Sequence, residues 1–195
     1  MSKKDTEDPR TRHTRERLQC AVLELLDMYP YDAMTVQQIA DCAEVSRATF
    51  YLHYESKDAL YLAAHMADSQ RILGDPLSRQ ELLDRTPPAR MVEFYAVHWQ
   101  RRDALRVVFF SKDARPILHH LEVHSAERLH RALELAFSGS DSDIPLNLLA
   151  EYLAGAQMRM MTRWLERRFE MSPAALTELL HRLQRAALCD ALSIT

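Results

Sequence analysis

Arg47, Ala48, Thr49, Tyr51 and His53 fall in one short run, SRATFYLHY, with Thr35, Gln37 and Ser46 ahead of it and Lys57 just behind. These side chains suit duplex nucleic acid. An arginine reaches guanine O6 and N7, a threonine meets a thymine methyl or a phosphate, and Tyr and His carry polar tips for backbone contacts. Ala48 keeps the leading end slim, where a groove wall would press closest. Lys57 is one of four lysines in a chain with 21 arginines. It stands where a helix is expected to start, and the free N–H groups and dipole there favour a phosphate. Thr35, Gln37, Ser46, Arg47, Ala48, Thr49, Tyr51, His53 and Lys57 are the candidate DNA contacts.

Two short helices joined by a tight turn must hold these residues. Thr35-Val-Gln-Gln38 is a capping box that opens the first, and Ser46 caps the second. Val36, Ile39, Ala40, Val45 and Phe50 are spaced to pack the pair together, which leaves Arg47, Ala48, Thr49 and His53 facing out. The arrangement reads as a helix-turn-helix. Before it, Asp8-Pro9 starts a helix whose apolar face is Leu18, Ala21, Val22, Leu25 and Tyr29, ending at Pro30. After it, Ser56 caps a helix from Lys57 to Leu73, stopped by Gly74-Asp-Pro76. Further helices are expected from Ser78, over 88–99, 103–110 and 114–137, from Pro145 to Phe169, and from Pro173 to Leu192. The loop 138–143 is the clearest break. The fold class is therefore all-α with about nine helices. Residues 1–55 would form a DNA-binding domain with a basic N-terminal arm, and residues 56–195 a larger helical domain.

Composition narrows the function. The chain of 195 residues is 47% apolar, enough for a substantial core. Its three glycines, Gly74, Gly139 and Gly155, lie too far apart for a phosphate-cradling loop. Three scattered cysteines form no CxxC pair or disulfide framework, which favours a reducing, cytoplasmic setting. The polar start has no apolar signal region, and no run is long and charge-free enough to enter a membrane. No catalytic triad, zinc-protease motif or cofactor loop is present, so neither an enzyme nor a cofactor is expected. His120 and His124 share a helix face with Glu127 one turn on, which is metal-ligand spacing, and His119 adjoins them. Solvated histidines on a long helix are the favoured account, and no metal is expected. Net charge is −3, yet six cations lie in the first 17 residues. Positive charge is local, and Lys3 and Lys4 belong to an arm suited to the minor groove.

The C-terminal helices are apolar on more than one side. Leu146, Leu149, Leu153, Ala156 and Met160 make one stripe between Leu146 and Leu165, and Leu148, Tyr152 and Gly155 another. Such helices fit burial against their own domain and a partner copy. Leu149, Tyr152, Leu153, Ala156, Leu176, Leu180, Leu183 and Ala187 are the expected dimer contacts. Met91, Phe94, Tyr95, His98, Phe110, Met158, Met161 and Trp164, with Trp99 and Phe109 nearby, suit a small apolar effector. A core stripe would use the same residue types.

The stretch MTVQQIADCAEVSRATFYLHYESKDALY resembles the DNA-binding signature of TetR-type transcriptional regulators. The likeness runs over residues 10–70 and rests on Thr35, Ile39, Ala40, Ala43, Val45, Ser46, Thr49, Phe50, Tyr51, His53, Ser56, Lys57 and Leu60. Two positions depart: Glu44 stands where the family has a turn glycine, and Ala48 where it has a second. The segment YLAGAQMRMMTRWLERRFEMSPAALTELLHRL is similar to one C-terminal subtype of the family. The resemblance implies a homodimer reading a pseudopalindromic operator, with Thr35, Tyr51, His53 and Lys57 on phosphates and Arg47, Ala48 and Thr49 nearest the bases. It further implies a ligand-responsive repressor. The alternative is a protein-interaction adaptor or coactivator that keeps a TetR-like head, which Glu44 and the acidic balance of residues 1–61 favour. A metal-responsive sensor using His120 and His124 is a third reading.

Overall fold

The computed structural model describes residues 8–110, 114–139 and 144–194. Lys3 and Lys4 of the expected basic arm, and most of the expected loop at 138–143, lie outside the described residues. Among the described residues there are ten α-helices and one 3₁₀ turn, and no strand. Two compact units divide between Asp68 and Ser69, within the fourth helix.

The first unit begins with α1 (Pro9–Leu26), where the Asp8 carboxylate accepts a hydrogen bond from the Arg10 backbone N–H at 2.9 Å. Leu18, Ala21, Val22, Leu25 and Leu26 form its buried face. Tyr29, expected on that face, lies past the helix end and is exposed. The chain then makes a 3₁₀ turn over Tyr31–Ala33, which no sequence signal announced. Tyr31 is buried there, edge-on to Tyr61 at 5.5 Å, with its hydroxyl bonded to Asp58. Next come α2 (Val36–Cys42), α3 (Arg47–His53) and α4 (Lys57–Leu73). The expected capping box is formed: the Thr35 hydroxyl accepts from the Gln38 N–H at 3.2 Å, and the Gln38 side chain accepts from the Thr35 N–H at 2.8 Å.

The second unit contains α5 (Arg79–Leu83), α6 (Ala89–Gln100), α7 (Arg102–Phe110), α8 (Ala114–Phe137), α9 (Leu146–Leu165) and α10 (Pro173–Ala191). Leu82, Leu129, Leu133, Phe137, Leu149, Ala150, Leu153, Leu188 and Leu192 pack as its core, drawn mainly from α5, α8, α9 and α10. At the end of α4, Gly74 adopts φ +60°, a left-handed geometry that favours glycine. Two arginines grip this end. Arg90 donates to the carbonyls of Leu73 and Asp75 while pairing with Glu81 at 2.7 Å, and Arg128 donates to Gly74 O at 3.0 Å and Gln70 Oε1 at 2.7 Å. They satisfy carbonyls that a helix end otherwise leaves open. On α10, His181 Nε2 hydrogen-bonds to the Asp84 carbonyl at 3.0 Å and Arg185 donates to the Leu83 carbonyl at 2.7 Å, which closes the end of α5 in the same way.

α9 stops at Leu165, four residues short of the expected end. The N–H of Arg168 returns to the Arg163 carbonyl at 3.1 Å and that of Arg167 to Trp164 at 2.9 Å, a Schellman closure with Arg167 at φ +57°. An arginine in this conformation is strained by about 1 kcal/mol. Arg167→Gly should therefore raise stability by about 0.5–1 kcal/mol, since the exposed 3.5 Å pair it loses with Asp103 is worth little. Urea unfolding of both proteins checks this, and an unchanged or lower midpoint counts against the strain.

Candidate nucleic-acid interface

The turn between α2 and α3 is built as a second Schellman closure. Val45 N–H bonds to the Ala40 carbonyl at 2.9 Å and Glu44 N–H to Asp41 at 3.0 Å, with Glu44 at φ +50°. The position thus has the left-handed geometry that glycine serves best. Glu44 holds it with help from α1: Arg17 Nη2 lies 2.8 Å from its carboxylate and 3.3 Å from its carbonyl. One cation of the recognition unit is thereby committed to an internal anion.

From this turn Ser46 starts α3, its hydroxyl accepting from the Thr49 N–H at 2.9 Å and lying 2.8 Å from the Thr49 hydroxyl. Phe50 is the one buried residue of the helix. Its ring meets Tyr51 at 5.2 Å and Tyr54 at 6.2 Å. At 3.6 residues per turn, Ala48 and Leu52 each lie about 160° around the helix from Phe50. They form the outward crest, and Leu52 is 82% exposed. Arg47 and Tyr51 occupy one flank, with the guanidinium 5.7 Å from the ring centroid. Thr49 and His53 occupy the other.

Thr35, Gln37, Ser46, Arg47, Ala48 and Tyr51 are exposed, while Thr49, His53 and Lys57 are half-buried. Gln37 already donates to Asp41 at 2.7 Å. Lys57 points inward. Its ammonium donates to the carbonyls of Tyr31 at 2.6 Å and Met34 at 2.9 Å, and sits 4.1 Å from the Tyr31 ring centroid. Burial pulls its pKa below the ordinary lysine value, against the opposing pull of Asp58 and Asp32. In this arrangement Lys57 closes the 3₁₀ turn. The residue that sequence reasoning missed is Leu52, and the signal was present: it stands four residues after Ala48 and opposite Phe50.

In the second unit the expected effector residues separate. Tyr95, His98, Met161 and Trp164 are buried; Met91, Phe94 and Met158 are half-buried; Phe110 is 41% exposed, whereas Phe109 is buried. Phe94 and His98 lie 4.1 Å apart, Trp99 stacks on Trp164 at 4.6 Å, and Tyr95 meets Trp164 at 6.3 Å. Burial raises the Tyr95 phenol above its ordinary pKa, and the Trp164 indole donates to the Met171 carbonyl at 2.9 Å. The expected dimer residues separate too. Leu149, Leu153, Leu176 and Leu180 are buried within their own chain, Ala187 is half-buried, and Tyr152, Ala156 and Leu183 are exposed. A Cβ on Gly155 would meet only the Glu122 carboxylate, at 3.5 Å. His119 and His120 are exposed. His124 is half-buried, with its pKa lowered by burial and by Arg128 and Arg131, against Glu127. Among the described residues no three His, Cys, Asp or Glu side chains are placed to share a metal. No helix among them is long and apolar enough to cross a membrane.

Residues 21–64 match the family model of the bacterial regulatory proteins of the tetR family. Comparison with the curated proteins gives no match. Among solved structures, a TetR transcriptional regulator from Rhodococcus sp. is 16% identical with a TM-score of 0.63, over 95% of this chain and 98% of that one. AlkX, a TetR family repressor from Dietzia sp. implicated in biodegradation of n-alkanes, is 18% identical with a TM-score of 0.61, over 91% and 96%. FadR from Thermus thermophilus, a TetR family repressor in complex with lauroyl-CoA, is 24% identical with a TM-score of 0.54, over 87% and 92%. These likenesses are of fold.

Lys57→Met should cost about 1–3 kcal/mol of stability, because it strips a charged donor from two carbonyls of the first unit. Thermal unfolding measures this. Unchanged stability with uniformly weakened DNA binding would return Lys57 to the phosphate role.

Proposed function

We propose that this chain is a transcriptional regulator of the tetR type, a reading the match over residues 21–64 supports, and that it acts as a homodimeric, ligand-responsive repressor on a pseudopalindromic operator. The observation that carries the reading is the recognition helix itself. A single buried anchor, Phe50, leaves Arg47, Ala48 and Tyr51 exposed on a helix packed against α2. Arg47 then reads a base edge, while Thr35, Tyr51 and His53 hold the backbone.

Dimerisation is supported by apolar side chains left in water on the last two helices. Leu148, Tyr152 and Leu183 are 57%, 68% and 53% exposed, and Ala156 is exposed between them in sequence. α9 and α10 of two copies would bury them in a four-helix interface. The effector would be apolar and contact α6 and α9 through Met91, Phe94, His98 and Met158. The same fold holds lauroyl-CoA in the Thermus protein. Binding would favour an arrangement of the two copies in which the recognition helices lose the spacing of successive major grooves. A tenfold loss of operator affinity needs a difference of about 1.4 kcal/mol between the two states.

Selection from a random duplex pool, at about 0.1 M salt and with the oligomeric state fixed by sedimentation, tests the reading. One inverted repeat with half-sites about 34 Å apart is expected from a dimer. Arg47→Ala should cost about 1–3 kcal/mol on that repeat and relax the preference at one position. No enrichment by a folded dimer overturns the function, and equal losses on specific and random duplexes overturn the role of Arg47.

A further inference from the structure

The crest of α3 carries no hydrogen-bonding group. Ala48 and Leu52 stand opposite the buried Phe50, and Leu52, at 82% exposure, is the most exposed large hydrophobic side chain among the described residues. A lone exposed leucine is ordinary on a protein surface. This one is not isolated, because it shares a line with Ala48 and is flanked by Arg47 and Tyr51 on one side and Thr49 and His53 on the other. The flanks can bond to base edges and phosphates; the crest between them cannot.

We infer that Ala48 and Leu52 read thymine 5-methyl groups in the major groove, which makes Leu52 a specificity-determining residue of this chain. The inference rests on the operator-binding reading above. The chemistry selects the target: along the major-groove edge of the four base pairs, the thymine methyl is the one apolar group that projects into the groove, and the other positions offer a donor, an acceptor or, on cytosine, a bare C5–H too short to meet a side chain as the methyl does. A leucine pressed against a donor or acceptor would strip its water and return no hydrogen bond. Against a methyl it loses nothing polar. Residues four apart on a helix are about 6 Å apart along its axis, and base pairs rise about 3.4 Å. The two methyls therefore lie about two base-pair steps apart in each half-site. Ala48 serves the closer approach because it is short, and Leu52 reaches further because the helix turns away from the groove floor.

The test uses the full-length protein and the inverted repeat recovered by the random-pool selection. Each thymine of a half-site is exchanged in turn for deoxyuridine, which removes the methyl and leaves pairing intact. Two exchanges should each weaken binding about fourfold, the equivalent of one buried methyl at about 0.8 kcal/mol. Leu52→Ala should abolish the discrimination at one of the two positions and keep it at the other, with its thermal midpoint unchanged because the side chain packs against nothing essential. If no uracil exchange alters binding, or if Leu52→Ala keeps the full discrimination at both positions, the inference is overturned while the repeat still upholds the operator-binding function. If no repeat is enriched at all, both fall together.

Discussion

The orientation of the recognition helix hangs on one aromatic side chain. α3 is seven residues long and buries only Phe50. A helix this short has no stability of its own in water. It exists because the Ser46 hydroxyl satisfies its first turn and because Phe50 is taken fully out of solvent. Once that ring is fixed, the phase of every other residue follows from the helical repeat. Arg47 and Tyr51 go to one flank, Thr49 and His53 to the other, and Ala48 and Leu52 to the top. Rotating the helix by one residue would expose the ring and put the hydroxyl of Thr49 or Tyr51 in its place. Both are expensive, so the presented surface is set by packing behind it rather than by any contact in front of it.

The second unit answers a different constraint, the open carbonyls at helix ends. Three arginines do this work at two helix ends. Arg90 and Arg128 hold the end of α4, and Arg185 holds the end of α5 with His181 beside it. A guanidinium presents several donors in a rigid plane, so one side chain can bond two carbonyls or a carbonyl and a carboxylate at once. Gly74 and Gly139 take the left-handed geometry at two ends, and elsewhere closure falls to side chains and to left-handed Glu44, Arg167 and Ser193. The arginine-rich, lysine-poor composition thus has a structural use inside the protein, and part of that charge is spent there.

Sequence patterns revealed the parts governed by local chemistry. The capping box at Thr35, the serine caps at 46 and 56, and the apolar face of α1 from Leu18 to Leu25 all depend on residues within a few positions of one another, and all formed. What stayed hidden depends on partners far along the chain. Lys57 looked like a phosphate ligand because its helix position was visible and the carbonyls at 31 and 34 that receive it were not. The stop of α9 at Leu165 was hidden because its left-handed residue is an arginine, not the glycine that announces such ends. The stripes of α9 and α10 carried an ambiguity that spacing cannot resolve. Leu149 and Leu176 are as apolar as Leu183, yet they pack inside the chain while Leu183 does not.

Charge places the burden of recognition on short-range contacts. Residues 1–61 hold 8 Lys and Arg against 11 Asp and Glu, and the structure commits two of those cations further, Arg17 to Glu44 and Lys57 to the 3₁₀ turn. Polyanion attraction grows with each phosphate neutralised and carries no sequence information. A domain with so few free cations has little of it and so gains little on random DNA. On the proposed reading, a tight complex would then draw on the base edges, through Arg47 on one flank and the apolar line of Ala48 and Leu52 on the crest. The sequence-independent term is common to operator and random DNA and cancels in their ratio, so on the proposed reading the discrimination between them would rest wholly on the base contacts, and a weakly basic head would hold little DNA where those contacts are missing.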